Sequence, residues 1–322
     1  MRSCVARRDI CENTSCWTFR RSRQSSYAFT RRRDPRLADA FAYCAAKTRN
    51  NAKNFYYAFM VLPRRRREAM YALYCFCREA DDAVDEAGEV AAKRAALDQL
   101  RDGLDRCFAD RPEGPMFEAL AAVRSSYGLS KQHLDDVVTG CEMDLDTTRY
   151  ETFADLAIYL DRVASAVGRA TMELFGVSPE GCAKYATAGG HSVQLTNILR
   201  DVKEDLTRDR IYLPQEDLKR FSVTESDLRN ERLSDGFLEL MAFEVARTRG
   251  LYQKAREVTS DAQKRALLPL TTISRIYERV LDRIEARSYD VFSERVSLPG
   301  WRKAFLGLDT WLKARLHLPI GR

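Results

Sequence analysis

Histidine is scarce in this chain of 322 residues, which contains only three: His133, His191 and His317. Zinc sites and Ser/His/Asp triads need histidine together with other ligands or with a nucleophile, and these three are isolated in sequence, so neither site is indicated. The nine cysteines show no CxxC pairing and no Cys/His ligand spacing. Their scatter favours a reducing compartment over a disulfide framework.

Long apolar runs and alternating strand patterns are also missing. No stretch of 18 or more apolar residues occurs, so no segment is predicted to span a bilayer. No GxGxxG motif follows a predicted strand, which excludes an independent dinucleotide-binding domain. The excess of basic over acidic residues is a modest +6. That balance suits anionic small molecules or an anionic membrane surface, and it does not fit a dedicated nucleic-acid binder.

From about Leu37 to Tyr289 the chain contains one helical pattern after another, separated by short breaks rich in Gly, Pro, Ser and Asp. With 45% hydrophobic residues, it predicts an all-α fold with a large core. Residues 1–36 are instead rich in arginine and serine and show no hydrophobic period, so we predict a disordered basic extension. A transit peptide, a basic arm and an upstream extension of the reading frame are three interpretations of it.

An oxygen-rich stripe lies in Gln194–Pro214, which reads QLTNILRDVKEDLTRDRIYLP. On a helix, Gln194, Asn197, Asp201 and Asp205 fall within about 80° of one another, with apolar residues on the other side. Carboxylates at i and i+4 repel by roughly 0.2–0.5 kcal/mol, so a helix selected for stability alone would place Lys or Arg at one of them. The stripe indicates a cation between the acids, although a solvated surface face is an equally good interpretation of one stripe alone.

A second stripe strengthens the cation-binding interpretation. In YCFCREADDAVD, Tyr74, Arg78, Asp81 and Asp85 lie within about 60° of one another on their own helix. Two acidic stripes on largely apolar helices predict facing walls of one cavity. Mg²⁺ prefers oxygen ligands and keeps part of its shell for water and substrate phosphate, so such walls are suited to clamp a diphosphate.

Cations and aromatic rings border both stripes. Arg200 and Arg210 accompany the first, and Lys53 precedes the aromatic run that begins at Phe55. The cations would neutralise a departing diphosphate, and aromatic faces such as those of Phe55 and Tyr74 would stabilise the allylic carbocation left behind. These residues predict ionisation chemistry in a dry apolar pocket.

The segment Gly300–Leu316, GWRKAFLGLDTWLKARL, predicts an amphipathic helix near the C-terminus. One side carries only apolar residues: Trp301, Ala304, Phe305, Leu308, Leu312 and Leu316. Basic residues lie elsewhere on it, as in helices that lie in a membrane interface. A terminal helix docked on the protein's own core is an equally good interpretation.

The segments Tyr74–Asp85, of the form YxxxRxxDDxxD, and Gln194–Pro214 resemble the two signatures of the squalene and phytoene synthases, which join two prenyl diphosphates head to head. The resemblance extends from about Leu37 to Phe292. It implies a single large helical domain of the isoprenoid synthase type over residues 37–292, with a central cavity and a C-terminal arm at 293–322. GCEMDLDTTRY, the short arm and the segment around Thr271–Leu281 most resemble bacterial presqualene diphosphate synthases of the hopanoid pathway.

The resemblance implies a role for each matching residue. The implied ligands of Mg²⁺ and its diphosphate are Asp81, Asp85, Asn197, Asp201 and Asp205. The implied diphosphate contacts are Lys53, Arg78, Arg200 and Arg210. The implied pocket residues near the reacting carbons are Tyr74, Gln194 and Phe55. Asp82 is a weaker candidate ligand, because on the helix it points about 100° away from Asp81.

Two departures from the family pattern concern the pocket. Lys53 keeps the cation of a Ser-Arg-Ser-Phe or Ser-Lys-Ser-Phe turn, but Ala52 and Asn54 replace both serines. Arg162 stands where many members have Tyr before Val-Ala-Gly. We expect the Arg162 charge to hold the product's diphosphate and to disfavour a second ionisation.

The sequence thus predicts an Mg²⁺-dependent enzyme that joins two farnesyl diphosphates to presqualene diphosphate without NADPH. Phytoene synthase, acting on two geranylgeranyl diphosphates, is the alternative, because pocket depth is not readable from sequence. A non-catalytic assembly relative tends to lose the acids that this chain retains, and terpene cyclases or chain-elongating transferases lack the second signature. The expected setting is the cytoplasm, with peripheral contact to an anionic inner membrane face and downstream pathway enzymes as further partners.

Overall fold

The computed structural model describes residues 34–51, 53–86, 88–177 and 183–321, except for the side chains of residues 51, 53 and 54. Residues 1–33 of the predicted basic extension therefore lie outside the described residues. The first helix begins at Pro35, two residues before the predicted start of the folded segment.

The described residues form α-helices joined by short turns, as the hydrophobic periodicity predicts. In chain order they are α1 (Pro35–Asn51), α2 (Lys53–Met60), α3 (Arg64–Asp85), α4 (Val90–Phe108), α5 (Pro115–Tyr127), α6 (Lys131–Asp146), α7 (Phe153–Leu160), α8 (Ala166–Leu174), α9 (Ala183–Arg200), α10 (Val202–Thr207), α11 (Gln215–Arg220), α12 (Glu225–Arg229), α13 (Asp235–Glu257), α14 (Asp261–Ala266), α15 (Leu268–Ala286) and α16 (Gly300–Arg315). These ranges contain no β-strand, only an isolated bridge between Arg149 and Ile211. The all-α prediction is confirmed.

Helices α3 and α9 occupy the centre of the molecule. Helix α3 packs against α1, α4, α5 and α6, and α9 packs against α8, α13 and α15. The apolar side predicted for α3 is buried along its length, at Leu73, Phe76, Ala80 and Val84. Burial of these sides fixes the rotation of each helix, so the opposite, oxygen-rich side of each one faces the space between them.

Two interruptions of the helices were not predicted. Residues Asp161–Ser165 form a π-turn between α7 and α8, within a segment predicted as one helix. Here the backbone of Ser165 comes so close to α9 that a Cβ on Gly190 would lie 2.7 Å from the Ser165 nitrogen. Helix α9 ends at Arg200 because Asp201 has φ −104° and ψ 16°, outside the α-helical range.

The interruption at Asp201 leaves the oxygen-rich stripe in place. The Asp201 amide still donates to the Asn197 carbonyl at 2.8 Å, and the Asp201 carbonyl accepts from the Asp205 amide at 2.9 Å. The prediction of one continuous helix through Asp205 is wrong. Its consequence, that Asn197, Asp201 and Asp205 share one side, holds because these backbone bonds continue.

Candidate active site

One cavity of about 940 Å³ opens between α3 and α9. Its lining includes eleven of the predicted site residues: Phe55, Tyr74, Arg78, Asp81, Asp85, Gln194, Asn197, Arg200, Asp201, Asp205 and Arg210. Lys53 begins α2, and its side chain lies outside the described residues. The two stripes therefore form walls of one cavity.

Arg210 links the wall of α3 to the chain that follows α10. Its Nη1 donates to Asp85 Oδ1 at 2.7 Å and lies 3.8 Å from Asp144 Oδ2. The Arg210 side chain is 9% exposed, so this cation neutralises two carboxylates away from bulk water. The desolvation that such burial costs is offset only because both acids are close.

A left-handed residue and a backbone contact position Arg210. Asp209 has φ 56°, which turns the chain back after α10. Ile211 then donates its amide to the Thr148 carbonyl at 2.9 Å, which fixes the returning chain to the end of α6. Because Arg210 lies between these constraints, its side chain points into the cavity towards Asp85.

Asp144 is a cavity carboxylate that the sequence reasoning missed. It accepts hydrogen bonds from Tyr212 Oη at 2.7 Å and from Tyr159 Oη at 3.2 Å. Burial raises the pKa of Asp144 to about 6, against the lowering effect of Arg210. In the sequence, Asp144 was considered only as part of the segment GCEMDLDTTRY that carries the resemblance. In the structure, Asp144 and Cys141, three residues earlier on α6, both line the cavity.

Asp201 is held by two arginines. Arg200 Nε donates to Asp201 Oδ1 at 2.8 Å, and Arg295, from the segment after α15, donates from Nε at 2.9 Å and from Nη2 at 3.1 Å. Although burial opposes the charged form, the hydrogen bonds and charge of Arg200, with those of Arg295, lower the pKa of Asp201. Arg295 was not predicted, since nothing in the chain order links it to the second stripe.

Asp82 lies apart from the carboxylates that line the cavity. Its carboxylate pairs with Arg78 Nη2 at 2.5 Å and with Lys47 Nζ at 3.2 Å. The predicted direction of Asp82, away from Asp81, agrees with this pairing. Arg78 lines the cavity, and its Nε is buried without a hydrogen-bond partner, so the guanidinium retains donor capacity.

Two cavity carboxyl groups have pKa values raised to near neutral pH. Asp81 is open to the cavity but surrounded by protein, and desolvation raises its pKa to about 7. The charge of Arg78 lowers this pKa, and the charge of Asp85 raises it further. Desolvation also raises the pKa of Asp205 to about 8, assisted by Asp201 and Asp144. The main cause is the removal of these carboxyl groups from water, and repulsion between neighbouring acids adds to it. A bound cation would relieve that repulsion.

The donor set fits a hard cation held jointly by protein and substrate. Asn197 Oδ1 is a buried acceptor without a hydrogen-bond partner, beside a Gln194–Asn197 bond of 3.2 Å. Among the described residues, no three His, Cys, Asp or Glu side chains converge into a ready-made metal cage. Mg²⁺ is commonly held by one or two carboxylates together with waters and substrate phosphates, so a complete protein cage is not required.

Aromatic and aliphatic side chains form the remaining part of the cavity. The Phe55 ring lies 5.7 Å from Tyr74 and 6.2 Å from Tyr277, between centroids. Beyond them the lining is mostly apolar or small: Leu73, Val137, Val163, Ala164, Val167, Gly168, Ala186, Gly189, Val193, Leu270 and Ile273. The cavity thus has an acidic part and a hydrocarbon part.

Arg162 does not lie where the sequence analysis expected it. It belongs to the π-turn and lines a smaller cleft with Asp136, Asp161 and His191, while its neighbours Val163 and Ala164 line the large cavity. The expectation that its charge would hold the product's diphosphate is wrong. Successive residues of a helical turn point in different directions, and here the apolar neighbours point inward.

The squalene/phytoene synthase family model matches residues 48–302, which include both acidic stripes and the walls just described. This chain belongs to that family. Its members act on prenyl diphosphates, and the fold is that of the helical isoprenoid synthases.

Individual relatives of this family member carry different names. A 15-cis-phytoene synthase from Synechococcus elongatus is 36% identical over 279 residues, covering 83% of this chain and 91% of that protein. A solved dehydrosqualene synthase with bound ligand has a TM-score of 0.76 at 30% identity, covering 87% and 98% of the two chains. The squalene synthase HpnC from Alicyclobacillus acidocaldarius has a TM-score of 0.72 at 30% identity, covering 79% and 96%.

The raised carboxyl pKa values predict that Mg²⁺ binding depends on pH. A cation must displace the protons of Asp81 and Asp205, so its affinity should rise as the pH rises through 7 to 8. We expect the apparent Kd for Mg²⁺, measured by calorimetry without substrate, to be at least about 100-fold lower at pH 8 than at pH 6, because two protons are displaced. Asp205→Asn should weaken this dependence, and an affinity independent of pH would contradict the prediction.

Proposed function

We propose that this family member joins two farnesyl diphosphates head to head and releases presqualene diphosphate and diphosphate. The observation that carries the proposal is the single cavity in which the oxygen-rich sides of α3 and α9 face each other above a hydrocarbon part. Support for C15 substrates comes from the resemblance of GCEMDLDTTRY and the C-terminal arm to presqualene diphosphate synthases. The dehydrosqualene and squalene synthases that match at 30% identity point the same way.

In the proposed step, the C1–oxygen bond of one substrate breaks. Its C1 then bonds to both carbons of the proximal double bond of the other substrate and loses a proton, so a cyclopropylcarbinyl diphosphate forms. When bound, Mg²⁺ would supply the positive charge that stabilises the leaving diphosphate. The residues proposed to hold it are Asp81, Asp85, Asn197, Asp201 and Asp205.

Side chains of the cavity are proposed to bind the diphosphate, to stabilise the allylic cation and to exclude water. Arg78 and Arg200 donate to the leaving diphosphate, and Arg210 holds Asp85 in place through its 2.7 Å bond. The rings of Phe55 and Tyr74 lie side by side in the cavity wall, where they face the allylic cation and stabilise it. The apolar lining excludes water that would otherwise capture the cation.

We also propose that the reaction stops at presqualene diphosphate and that NADPH is not used. This part rests on the resemblance to hopanoid-pathway enzymes alone, because Arg162 does not line the cavity. The proposed setting is the cytoplasm, where the five cysteines that the structure describes would stay as the free thiols they are here. Downstream pathway enzymes are the proposed partners, since they would take up an amphiphilic C30 diphosphate.

Condensation of two geranylgeranyl diphosphates to phytoene is the second candidate. The observation that favours it is the 36% identity to a 15-cis-phytoene synthase over 83% of the chain. The same acidic stripes serve both reactions, so the candidates differ only in the hydrocarbon part of the cavity. A direct comparison of substrates separates them.

The substrate test has a definite expected result. Purified protein with Mg²⁺ should convert farnesyl diphosphate to presqualene diphosphate, identified by mass spectrometry, with a kcat/KM at least about tenfold above that for geranylgeranyl diphosphate. Adding NADPH should leave the product unchanged, and excess chelator should abolish turnover. Phytoene formed at the higher kcat/KM would establish the second candidate, and squalene formed with NADPH would overturn the stopping point.

A further inference from the structure

Helix α16 presents the more apolar of its two sides to solvent. The side that packs against α2 and α15 carries Lys303, Leu306, Gly307 and Thr310, all of them buried. Arg275 of α15 fixes this side through a 2.6 Å bond to Thr310 Oγ1. A surface helix ordinarily buries its apolar side, so this arrangement is the reverse of the usual one. The helix therefore packs on the protein's own core, as one interpretation of the sequence predicts, and its more apolar side stays exposed.

The exposed side forms a continuous apolar stripe, here called the α16 stripe. Its members are Trp301, Phe305, Leu308, Leu312 and Leu316. They fall within about 80° of one another on the helix, directly opposite the buried side. Trp301 is 67% exposed and Phe305 is 63% exposed, and large aromatic side chains in a row are rarely left in water unless they serve a contact.

Positive charge surrounds the α16 stripe. Arg302 and Arg315 lie over the rings of Trp301 and Trp311, at 5.1 and 5.7 Å from their centroids. Asp309, the acid on this helix, is already paired with Arg275 at 2.7 Å and with Lys313 at 3.0 Å. The helix therefore offers cations, and no free carboxylate, to whatever meets the stripe.

A second group of cations follows the end of α2, against which the buried side of α16 packs. A Cβ on Gly307 would lie 3.8 Å from Val61 Cγ1, so α16 packs on the end of α2. Four arginines, residues 64–67, begin three residues after Val61, so the Cα of Arg64 lies at most about 11 Å from that of Val61. Arg67 Nη1 donates to the carbonyl of Met60, itself 46% exposed, at 3.3 Å.

The α16 stripe begins at the rim of the cavity. Leu298, Gly300 and Lys303 line the large cavity, and Trp301 lies between the last two with its ring outside. The cavity lining and the stripe therefore adjoin each other at the start of α16.

We propose that the α16 stripe docks on an anionic lipid bilayer, with its five apolar side chains inserted and with Arg302, Arg315 and the exposed Arg64 and Arg65 against the headgroups. Apolar insertion combined with cations at the same surface is the chemistry that binds an anionic interface. A second copy of the chain would bring like-charged arginine groups together, which opposes pairing of two stripes. No helix among the described residues is long and apolar enough to cross the bilayer, so the contact is peripheral.

Docking would bring the cavity next to the bilayer, so prenyl chains could pass between the two. This consequence rests on the proposed function. The docking itself depends only on the α16 stripe and its cations. Vesicle binding without substrate and turnover without vesicles therefore test the two proposals separately.

The test is flotation of the full chain with vesicles of phosphatidylglycerol and phosphatidylcholine. Trp301→Glu combined with Phe305→Glu should weaken binding at least about 100-fold, since two inserted aromatic side chains become charges of the same sign as the lipid. Val90→Glu combined with Ile158→Glu is the matched control, because these exposed apolar residues lie on α4 and α7. The control should bind like the unaltered protein.

Charge is tested by Arg64→Gln combined with Arg65→Gln. Binding to anionic vesicles should weaken about 30-fold at low salt and lose much of its salt dependence. Vesicle binding unchanged in the Trp301/Phe305 variant would overturn the proposal. So would a dimer, seen by sedimentation without vesicles, that the same variant dissociates, because it would assign the stripe to a second copy.

Discussion

Asp81→Asn and Asp205→Asn should each lower kcat by at least about 1,000-fold while leaving thermal stability equal or higher. Both carboxyl groups line the cavity, and both have pKa values raised to about 7 and about 8 by desolvation and by neighbouring acids. Removing either one takes away an oxygen ligand proposed for Mg²⁺, and it also relieves repulsion between carboxylates in the free protein. Steady-state kinetics and calorimetric melting measure the two effects.

Asp201→Asn should behave differently although it belongs to the same stripe. Its carboxylate accepts from Arg200 and Arg295, so we expect the loss of these ion pairs to outweigh the relief of its repulsion with Asp205. We expect the same loss of kcat together with a lower melting temperature, since the buried Arg200 loses its partner. Asp98→Asn, on the exposed side of α4, is the control and should change neither quantity. Near-normal turnover of Asp81→Asn would contradict the proposed metal site.

Arg210→Met should destabilise the fold and abolish turnover together. The guanidinium is the nearest cation to Asp85, at 2.7 Å, and lies 3.8 Å from Asp144. Removing one partner of a buried ion pair leaves uncompensated charge and typically costs about 3–5 kcal/mol. Chemical denaturation should show that loss in the free energy of unfolding, and product assays should show no turnover above background.

Arg208→Met provides the matched control for Arg210. Arg208 is two residues away, is 32% exposed and lies 3.8 Å from the same Asp85 oxygen, so its loss should cost less than about 1 kcal/mol. Adding Asp144→Asn to Arg210→Met should recover part of the stability, because it removes one of the two stranded charges. Equal losses of stability in the Arg208 and Arg210 variants would contradict the prediction that the buried arginine contributes more to the free energy of unfolding.

Much of the fold and the candidate site could be predicted from local sequence. Helix periodicity located α3 and α9 and the side of each that is buried, because burial of Leu73, Phe76 and Ala80 is a property of one amphipathic segment at a time. The same periodicity placed Asp81 and Asp85 on one side. That they share a cavity with the other stripe was predicted because neighbouring carboxylates repel one another, and a cation between them relieves the repulsion.

Contacts between distant segments could not be predicted in this way. Asp144, Arg295 and Tyr277 belong to the cavity only because separate segments of the chain bring them there. Arg162 was assigned to the pocket from its position in a motif, and the π-turn directs its neighbours inward instead. No local periodicity contains the information that fixes these positions.

By itself the sequence determined which residues form helices, which sides of them are apolar, and which two segments carry the acids, since these depend on neighbours within a few residues along the chain. Only the tertiary structure decided which acids are paired with arginine and which repel one another. It also decided that α16 packs against α2 and α15 by its less apolar side. Both outcomes depend on desolvation and on charges brought together from residues far apart in the chain, and these are settled only when the helices pack.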